Sequence, residues 1–453
     1  MKILILGAGR AGSSVASALA HEDNDIVVVD TSLDLLRSLK ERLDIATVAG
    51  NAAFPTILDQ AGAGSADIVI AVTDKDETNM LACQIVNTLY SRPKTIARVR
   101  ASEFLNNPKL FQEGGIPIDV VISPELIVMD SIRNLIEFPG VLYVSEFAGG
   151  LVRLFSVRIS RNSMLTGKRI RDLKEHLANS KIRIAAIFRD GKAVVSDGAA
   201  VIEERDEIFI MSPRNEVRKV LNDLKKLEPP IKRILIAGGG HIGKRLALAL
   251  ENGHQVKVIE RNSARTKKIA GELDNTLVLN GDCTDEGLLK SESIDRTDLF
   301  CAITDHDGNN IISATLAKRL GARKSICLIN HSSYADLLEG TGIDVWVDPE
   351  QTTIGSILKH VRRGDVVQVN SLCGGKAEAI EAIAHGPAGS SSVIGRQVDQ
   401  IDLPYGIVLG ALVRNNEMMK IHHDTIFEEG DHVIMFVMDK KLVKNVERVF
   451  QPI

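Results

Sequence analysis

Short apolar runs alternate along this chain with segments in which apolar residues recur every third or fourth position. KILIL (residues 2–6) is followed by Val15, Ala18 and Leu19 at i, i+3 and i+4. A second apolar run ends in VVVD at Asp30, and Leu33, Leu36 and Leu39 then recur every third residue. The first kind of segment predicts buried strands and the second amphipathic helices, so their alternation predicts βαβ units closing a parallel sheet.

The same pattern is written a second time. GAGRAG (7–12) returns as GGGHIG (238–243), each after an apolar strand, KILIL or RILIA (233–237). The second strand of each copy ends in an acid, Asp30 or Glu260. LDIATVAGNAAF (43–54) matches LDNTLVLNGDCTD (273–285), and ADIVIAVTDKDETNM (66–80) matches TDLFCAITDHDGNNI (297–311). TIARVR (95–100) matches SICLIN (325–330), and IDVVISPE (118–125) matches IDVWVDPE (343–350). Six strands per copy predict two doubly wound, Rossmann-like α/β sheets. After the sixth strand each copy opens a helix, apolar at Ile127, Val128, Ile132, Leu135 and Ile136 in one and at Ile354, Ile357, Leu358 and Val361 in the other. Smaller β-rich modules follow. IAAIFRDGKAVV (184–195) and VIEERDEIFIM (201–211) read as strands joined by turns, as do VLGALVRNNEMMKI (408–421) and IFEEGDHVIMFV (426–437). Pro229-Pro230 cannot continue a helix and marks a linker at 224–232. The expected order is large module 1–138, small module 139–226, large module 227–362 and small module 363–453.

A glycine-rich turn between strand and helix has a physical task. Gly7 permits the tight turn, Gly9 lets a pyrophosphate approach the backbone, and Gly12 lets the helix lie close to the strand; Gly238, Gly240 and Gly243 repeat the set. The helix start adds free N–H groups and a partial positive charge. Asp30 and Glu260 stand about 20 residues on, where a carboxylate accepts hydrogen bonds from ribose hydroxyls and repels a 2′-phosphate. NAD(H) is therefore expected over NADP(H), and the ribose of ATP or ADP fits equally. Arg10 and His241 hold matching places inside the turns, and Arg10 suits phosphate. Arg98 and Arg100 lie at strand five of the first copy, where the second has Cys327-Leu-Ile-Asn330, so the first site is expected to suit negative charge better. Lys244-Arg245 after the second turn falls short of a P-loop, because arginine stands where a magnesium-binding Ser or Thr is required.

Composition narrows the classes. The formal charge of −4 gives no reason to expect nucleic acid as a partner. No apolar run is long enough to span a bilayer, and the chain opens in a strand with no signal-peptide pattern, so a cytoplasmic protein is expected. Aromatics make up 4%, leaving Ile, Val, Leu and Ala to fill the cores. Cys83, Cys283, Cys301, Cys327 and Cys373 form no C-x-x-C and read as small buried hydrophobes. Tyr90 and Lys94 match a Tyr-x-x-x-Lys pair in spacing, but Pro93 breaks the helix such a pair needs. His422-His423 point apart on an extended chain and hold no shared metal. With two nucleotide sites and no catalytic or metal constellation, the chain reads as a sensor.

On these residues the chain resembles the regulatory subunits of Trk-type potassium uptake systems (the TrkA family). GAGRAG with Asp30, AVTDKDETNM, ISPE and the linked β-rich module, each with a counterpart, carry the likeness over essentially the whole length. The resemblance implies two tandem RCK units (regulators of potassium conductance), each an RCK-N and an RCK-C domain, and no enzymatic activity. It implies a peripheral protein on the cytoplasmic face of the membrane, bound to a potassium-translocating subunit. Four chains would form a ring of eight units that responds to NAD(H) or to ATP and ADP. The implied binding residues are Gly7, Ala8, Gly9, Arg10, Ala11, Gly12, Asp30, Thr73, Asp74 and Arg98 in the first half. In the second they are Gly238, Gly239, Gly240, His241, Ile242, Gly243, Glu260 and Thr304. Asn51 and Asp282, expected to end strand three, would meet the adenine. The alternatives are an NAD-dependent oxidoreductase of saccharopine-dehydrogenase-like architecture and an adaptor ring in which nucleotide is only structural.

Overall fold

The computed structural model describes residues 1–450 except 21–23, 91–92, 113, 162, 164, 173–181, 195–198, 225–227, 339, 362–365, 373–375 and 387–390. Val195, Cys373, residues 225–227 of the linker and the module boundaries expected at 226 and 362–363 lie outside the described residues. In the first large module the strands are β1 (Lys2–Leu6), β2 (Asp25–Asp30), β3 (Ala46–Ala49), β4 (Ile68–Ala71), β5 (Lys94–Arg98) and β6 (Val120–Ile122). They form a parallel sheet in the order β3-β2-β1-β4-β5-β6. Alternation within β1 sends Ile3 and Ile5 to one helical layer, with Val15 and Leu19, and Leu4 and Leu6 to the other, with Leu58, Cys83 and Val86. Both faces are covered, which is why these strands read as unbroken apolar runs.

The first small module is an antiparallel sheet of β7 (Tyr143–Phe147), β8 (Val152–Arg158), β9 (Arg183–Arg189), β10 (Lys192–Val194) and β11 (Glu207–Pro213), in the order β10-β9-β11-β8-β7. The second large module repeats the first with β12 (Arg233–Ala237), β13 (Gln255–Glu260), β14 (Thr276–Asn280), β15 (Leu299–Ala302), β16 (Lys324–Leu328) and β17 (Val345–Val347), ordered β14-β13-β12-β15-β16-β17. The last sheet holds β18 (Val366–Leu372), β19 (Ala377–Ile383), β20 (Ile407–Arg414), β21 (Glu417–Met419) and β22 (His432–Val437). Its order, β18-β19-β22-β20-β21, is that of the first small sheet read from the other edge. The pairs β7–β8 and β18–β19 were not foreseen in the sequence.

Each small module carries the same buried clamp. Arg189 grips Asp206 through Nε and Nη2 at 2.9 and 3.0 Å, and Arg414 grips Asp431 through the same atoms at 2.7 and 2.7 Å. Asp206 and Asp431 are fully buried, and a buried carboxylate persists only when paired and hydrogen-bonded in this way. The two small sheets share one core. Phe188 and Phe209 meet Phe436 at ring-centroid distances of 6.1 and 5.6 Å, and the Met211 side chain fills the space where a Cβ on Gly410 would stand.

In space the chain divides into two compact units, and these cut across the sequence repeat. One unit holds Met1–Ile127 with Glu350–Arg362, and the other holds Val128–Pro349 with Arg363–Ile453. The helices that follow the large sheets account for this. The helix Pro349–Val361 leaves the second sheet, yet its Ile354, Ile357, Leu358 and Val361 are buried against the Ile3 and Ile5 face of the first. From Val128 on, the helix Pro124–Glu137 buries Ile132, Leu135 and Ile136 in the core that contains Ile234 and Ile236 of the second. Matching lysines hold the two chain segments. Lys94 Nζ donates to the carbonyl of His360 at 2.9 Å, and Lys324 Nζ to that of Val141 at 3.0 Å. Cys83, Cys283, Cys301 and Cys327 are buried free thiols, and burial pushes Cys83, Cys301 and Cys327 up to about 12.

Two outcomes are expected. Ile357→Ala removes a fully buried side chain and should lower the denaturant-measured stability of the unit it packs in by about 2–5 kcal/mol. Burial, with Lys94 close by, pushes His360 down to about 4 from 6.5. A histidine depressed in the fold must remain neutral there, so its contribution is whole above its unfolded value and is lost as pH falls from 6.5 toward 4. Melting temperatures measured across that window should fall less steeply for His360→Gln than for the parent chain.

Candidate functional site

The two large sheets present the same cradle at the carboxyl ends of their strands. β1 ends at Leu6 and its helix begins at Arg10, and β12 ends at Ala237 with its helix beginning at His241. Gly7 and Gly238 both have φ of +112°, and a Cβ on either would meet the backbone at the next strand's end at 2.9 Å. Such a backbone is strained for any side chain. A Cβ on Gly12 would lie 1.8 Å from the Gly7 carbonyl oxygen, and one on Gly243 1.9 Å from that of Gly238. A Cβ on Gly9 or Gly240 would meet nothing within 4 Å. The outer glycines close the turn and seat the helix, and the middle one borders open space at a helix N-terminus. These residues fit a pyrophosphate group.

Asp30 and Glu260 brace the turns. Asp30 accepts from Ala8 N at 2.6 Å and Ser32 N at 2.8 Å, and Glu260 accepts from Gly239 N at 3.0 Å and Asn262 N at 2.7 Å. Each carboxylate is thus oriented by the turn it serves, with lone pairs left for a ribose. Gly50 N donates to the Asp30 carbonyl at 2.9 Å and Gly281 N to that of Glu260 at 3.1 Å, which brings the next turn alongside. Asn51 and Asp282 lie in these turns, beyond β3, which ends at Ala49, and β14, which ends at Asn280. They do not end the strands, because each folds back into an Asx turn, to Ala53 N and Thr284 N, both at 2.9 Å. The backbone and hydroxyl of Thr284 hold the Asp282 carboxyl below its usual range.

On the far side of the cradle, Thr73 and Thr304 follow strand four. Asn79 Oδ1 accepts from Thr73 N at 2.8 Å and Thr73 Oγ1 at 2.7 Å, and Asn310 Oδ1 accepts from Thr304 at the same two distances. Both asparagines are fully buried, and their amides donate to the carbonyls of Arg98 and Leu328 at 2.9 Å. Both stand in the matched DETNM and DGNNI runs, the one signal of them in the sequence. Asp74 is exposed, and its carbonyl accepts from Arg100. Arg98 Nη2 donates to the Thr73 carbonyl at 2.7 Å, while its buried Nε has no partner among the described residues. Burial, reinforced by Arg100, lowers its pKa from the usual guanidinium value. Leu328 takes its place in the second half, so the cradles differ there in charge. Arg10 and His241 are exposed at the helix starts beside Ala11 and Ile242.

The competing motifs separate in space. Lys244 reaches Glu272 at 2.5 Å, away from phosphate duty. Tyr90 donates to Asp59 at 2.6 Å and Lys94 to His360, so they form no catalytic pair. Burial and Asp59 push the Tyr90 hydroxyl up to about 12, unsuited to proton transfer near neutrality. Among the described residues no group of three His, Cys, Asp or Glu is placed to hold a metal. No helix among them is long and apolar enough to cross a membrane.

Known proteins resemble this chain over its whole length. A family model for the TrkA-N domain matches residues 3–124 and 234–349, and one for the TrkA-C domain matches 154–225. The chain is 50% identical over its whole length to the Trk system potassium uptake protein TrkA of Halomonas elongata, covering 99% of that protein. It is 46% identical to that of Vibrio alginolyticus and 43% to that of Haemophilus influenzae, with the same coverage. These relatives are named for transport and not for an enzymatic activity. Among solved structures, the GsuK RCK domain superposes with a TM-score of 0.63 at 18% identity, over 99% of this chain and 94% of that one. The GsuK channel bound to NAD gives 0.61 at 18%, over 99% and 78%; at that identity the likeness shows the fold, an RCK arrangement of α/β and antiparallel modules. Two tandem glycine-turn sheets, each with its small module, and full-length relatives of one name agree: the chain belongs to the TrkA family of Trk system potassium uptake proteins.

Proposed function

We propose that this chain is the nucleotide-sensing regulatory subunit of a potassium uptake system, without catalysis of its own. NAD(H), or ATP and ADP, would bind in the two cradles and alter transport through a membrane potassium-translocating subunit at the cytoplasmic face. The reading rests on one observation: open space beside Gly9 and Gly240, bounded by a helix N-terminus and an oriented carboxylate. In this reading the turns at Gly7, Ala8 and Gly9, and at Gly238, Gly239 and Gly240, take the phosphates. Asp30 and Glu260 accept the ribose hydroxyls, and Asn51 and Asp282 meet the base. Thr73, Asp74 and Thr304 close the far side. Arg10, and Arg98, whose Nε has no partner among the described residues, favour extra phosphate charge in the first cradle, which suits ATP or ADP there.

Occupancy acts on transport only if it favours one conformation over another. A mechanical route begins at the first glycine turn. Ser14, on the helix Arg10–Ala20, donates to Glu350 at the start of the helix Pro349–Val361. That helix is the covalent link between the second large sheet and the second small module, so a ligand that moves the turn pulls on both. The four modules 1–138, 139–226, 227–362 and 363–453 would assemble as two RCK units per chain, with four chains in a ring of eight.

Ligand at about 100 times its Kd stabilises by about 2.7 kcal/mol per site. NADH or ATP at that level should therefore raise Tm by about 5 °C or more. Asp30→Ala combined with Glu260→Ala should abolish the NADH shift; no shift with either ligand on the parent chain would reject the proposal. Arg98→Gln should weaken ATP about tenfold more than NADH in calorimetric titration, because a charge-assisted contact is removed. Equal loss of both would place Arg98 outside the phosphate subsite.

A further inference from the structure

The two cradles differ at the edge where the adenosine ribose would lie. After Asp30 the chain reads Thr31 and Ser32, with Asp34 and Leu35 in the first turn of the next helix. After Glu260 it reads Arg261 and Asn262, with Ala264 and Arg265. The helix caps set the correspondence: Ser32 Oγ accepts from Leu35 N, and Asn262 Oδ1 from Arg265 N. Arg261 therefore replaces Thr31, Ala264 replaces Asp34 and Arg265 replaces Leu35. The lip changes from one negative charge to two positive ones, over a carboxylate common to both cradles. The cations one turn farther on, Arg37 and Lys267, hold matching positions and do not distinguish the halves.

The side chains are disposed to use that difference. Arg265 Nη1 lies 3.6 Å from Glu260 Oε2, with the arginine side chain 48% exposed and the glutamate 7%. Glu260 is thus partly compensated in place, and the guanidinium keeps open donors toward solvent. Arg261, 80% exposed, is 3.8 Å from Asp282 Oδ2, a loose contact at the mouth of the neighbouring turn. In the first cradle Asp30 has no cation at either matching position, and Asp34 adds a second negative charge.

We infer that the second cradle accepts an adenosine bearing a 2′-phosphate, the NADP(H) class of dinucleotide, whereas the first excludes it. An arginine beside the ribose accommodates the 2′-phosphate in sheets of this kind, and two guanidinium groups bind its oxygens by charge-assisted hydrogen bonds. The acid alone points the other way, toward NAD(H), and in the first half nothing offsets it. The inference rests on the reading of the second cradle as a nucleotide site.

Gly9→Glu and Gly240→Glu place a carboxylate in the phosphate space of one cradle, where a Cβ meets nothing within 4 Å, so each full-length variant reports on the other cradle. NADH and NADPH titrated by their fluorescence into Gly9→Glu should show dissociation constants within about tenfold of each other. In Gly240→Glu, NADPH should be weaker than NADH by about a hundredfold. Adding Arg261→Ala and Arg265→Ala to Gly9→Glu should raise the NADPH-to-NADH ratio of constants about tenfold or more. On the unsubstituted chain, adenosine 2′,5′-bisphosphate should displace NADH from one class of site only. If Gly9→Glu binds NADH but not NADPH, the 2′-phosphate inference fails alone. If it binds neither and the bisphosphate displaces nothing, the nucleotide reading of the second cradle fails with it.

Discussion

The architecture depends on how closely a helix can lie on the strand before it. At Gly12 and Gly243 the helix backbone rests on the carbonyl of the first turn glycine, with no volume left for a methyl group. That contact sets where the helix N-terminus points and therefore where its free N–H groups converge. It also holds Gly7 and Gly238 at a positive φ, which carries the chain under the end of strand four and places Thr73 and Thr304 across from the acids. One close approach thus sets the helix direction, the opening beside the middle glycine and the distance between the two walls of the cradle. A larger residue at the third position would lift the helix and dismantle all three.

A second constraint comes from large sheets built mostly of aliphatic strands. Sheets faced by Ile, Val and Leu on both sides need helices on both faces, and the layer over the Ile3 and Ile5 face is completed by a helix that belongs in sequence to the other half. The exchange at Ile354, Ile357, Leu358 and Val361, and at Ile132, Leu135 and Ile136, makes the compact units differ from the repeat. Covalent connection then runs from each large sheet through a helix buried elsewhere into a small module. In the shared core of the small sheets, Phe188, Phe209 and Phe436 form one aromatic cluster.

Much of this was legible in the chain. The strands at 2–6 and 233–237 and the acids closing β2 and β13 follow from apolar runs bounded by glycine or by an acid, and duplication made each signal count twice. The helices after Pro124 and Pro349 were legible from their apolar spacing, but the surfaces they cover were not, since amphipathic spacing marks a buried face and not its partner. The strands β7, β8, β18 and β19 escaped because motif matching between the halves weakens in the small modules. Asn79 and Asn310 escaped because the matched DETNM and DGNNI runs mark a position and not a role; only the fold shows that each ties strand four to strand five beneath the cradle.

The sequence by itself determined the local chemistry: two glycine turns after buried strands, two acids closing the second strand of each copy, and unequal basic residues in the two halves. These are properties of short segments, where backbone sterics and side-chain charge act over a few residues. The tertiary structure decided what long-range packing controls. It selected the sheet each helix covers, buried the carboxylates of Asp206 and Asp431 under arginines, left Arg98 Nε without a partner among the described residues, and set Arg265 against Glu260. Burial and pairing depend on the sum of contacts from distant parts of the chain, and no local pattern encodes that sum.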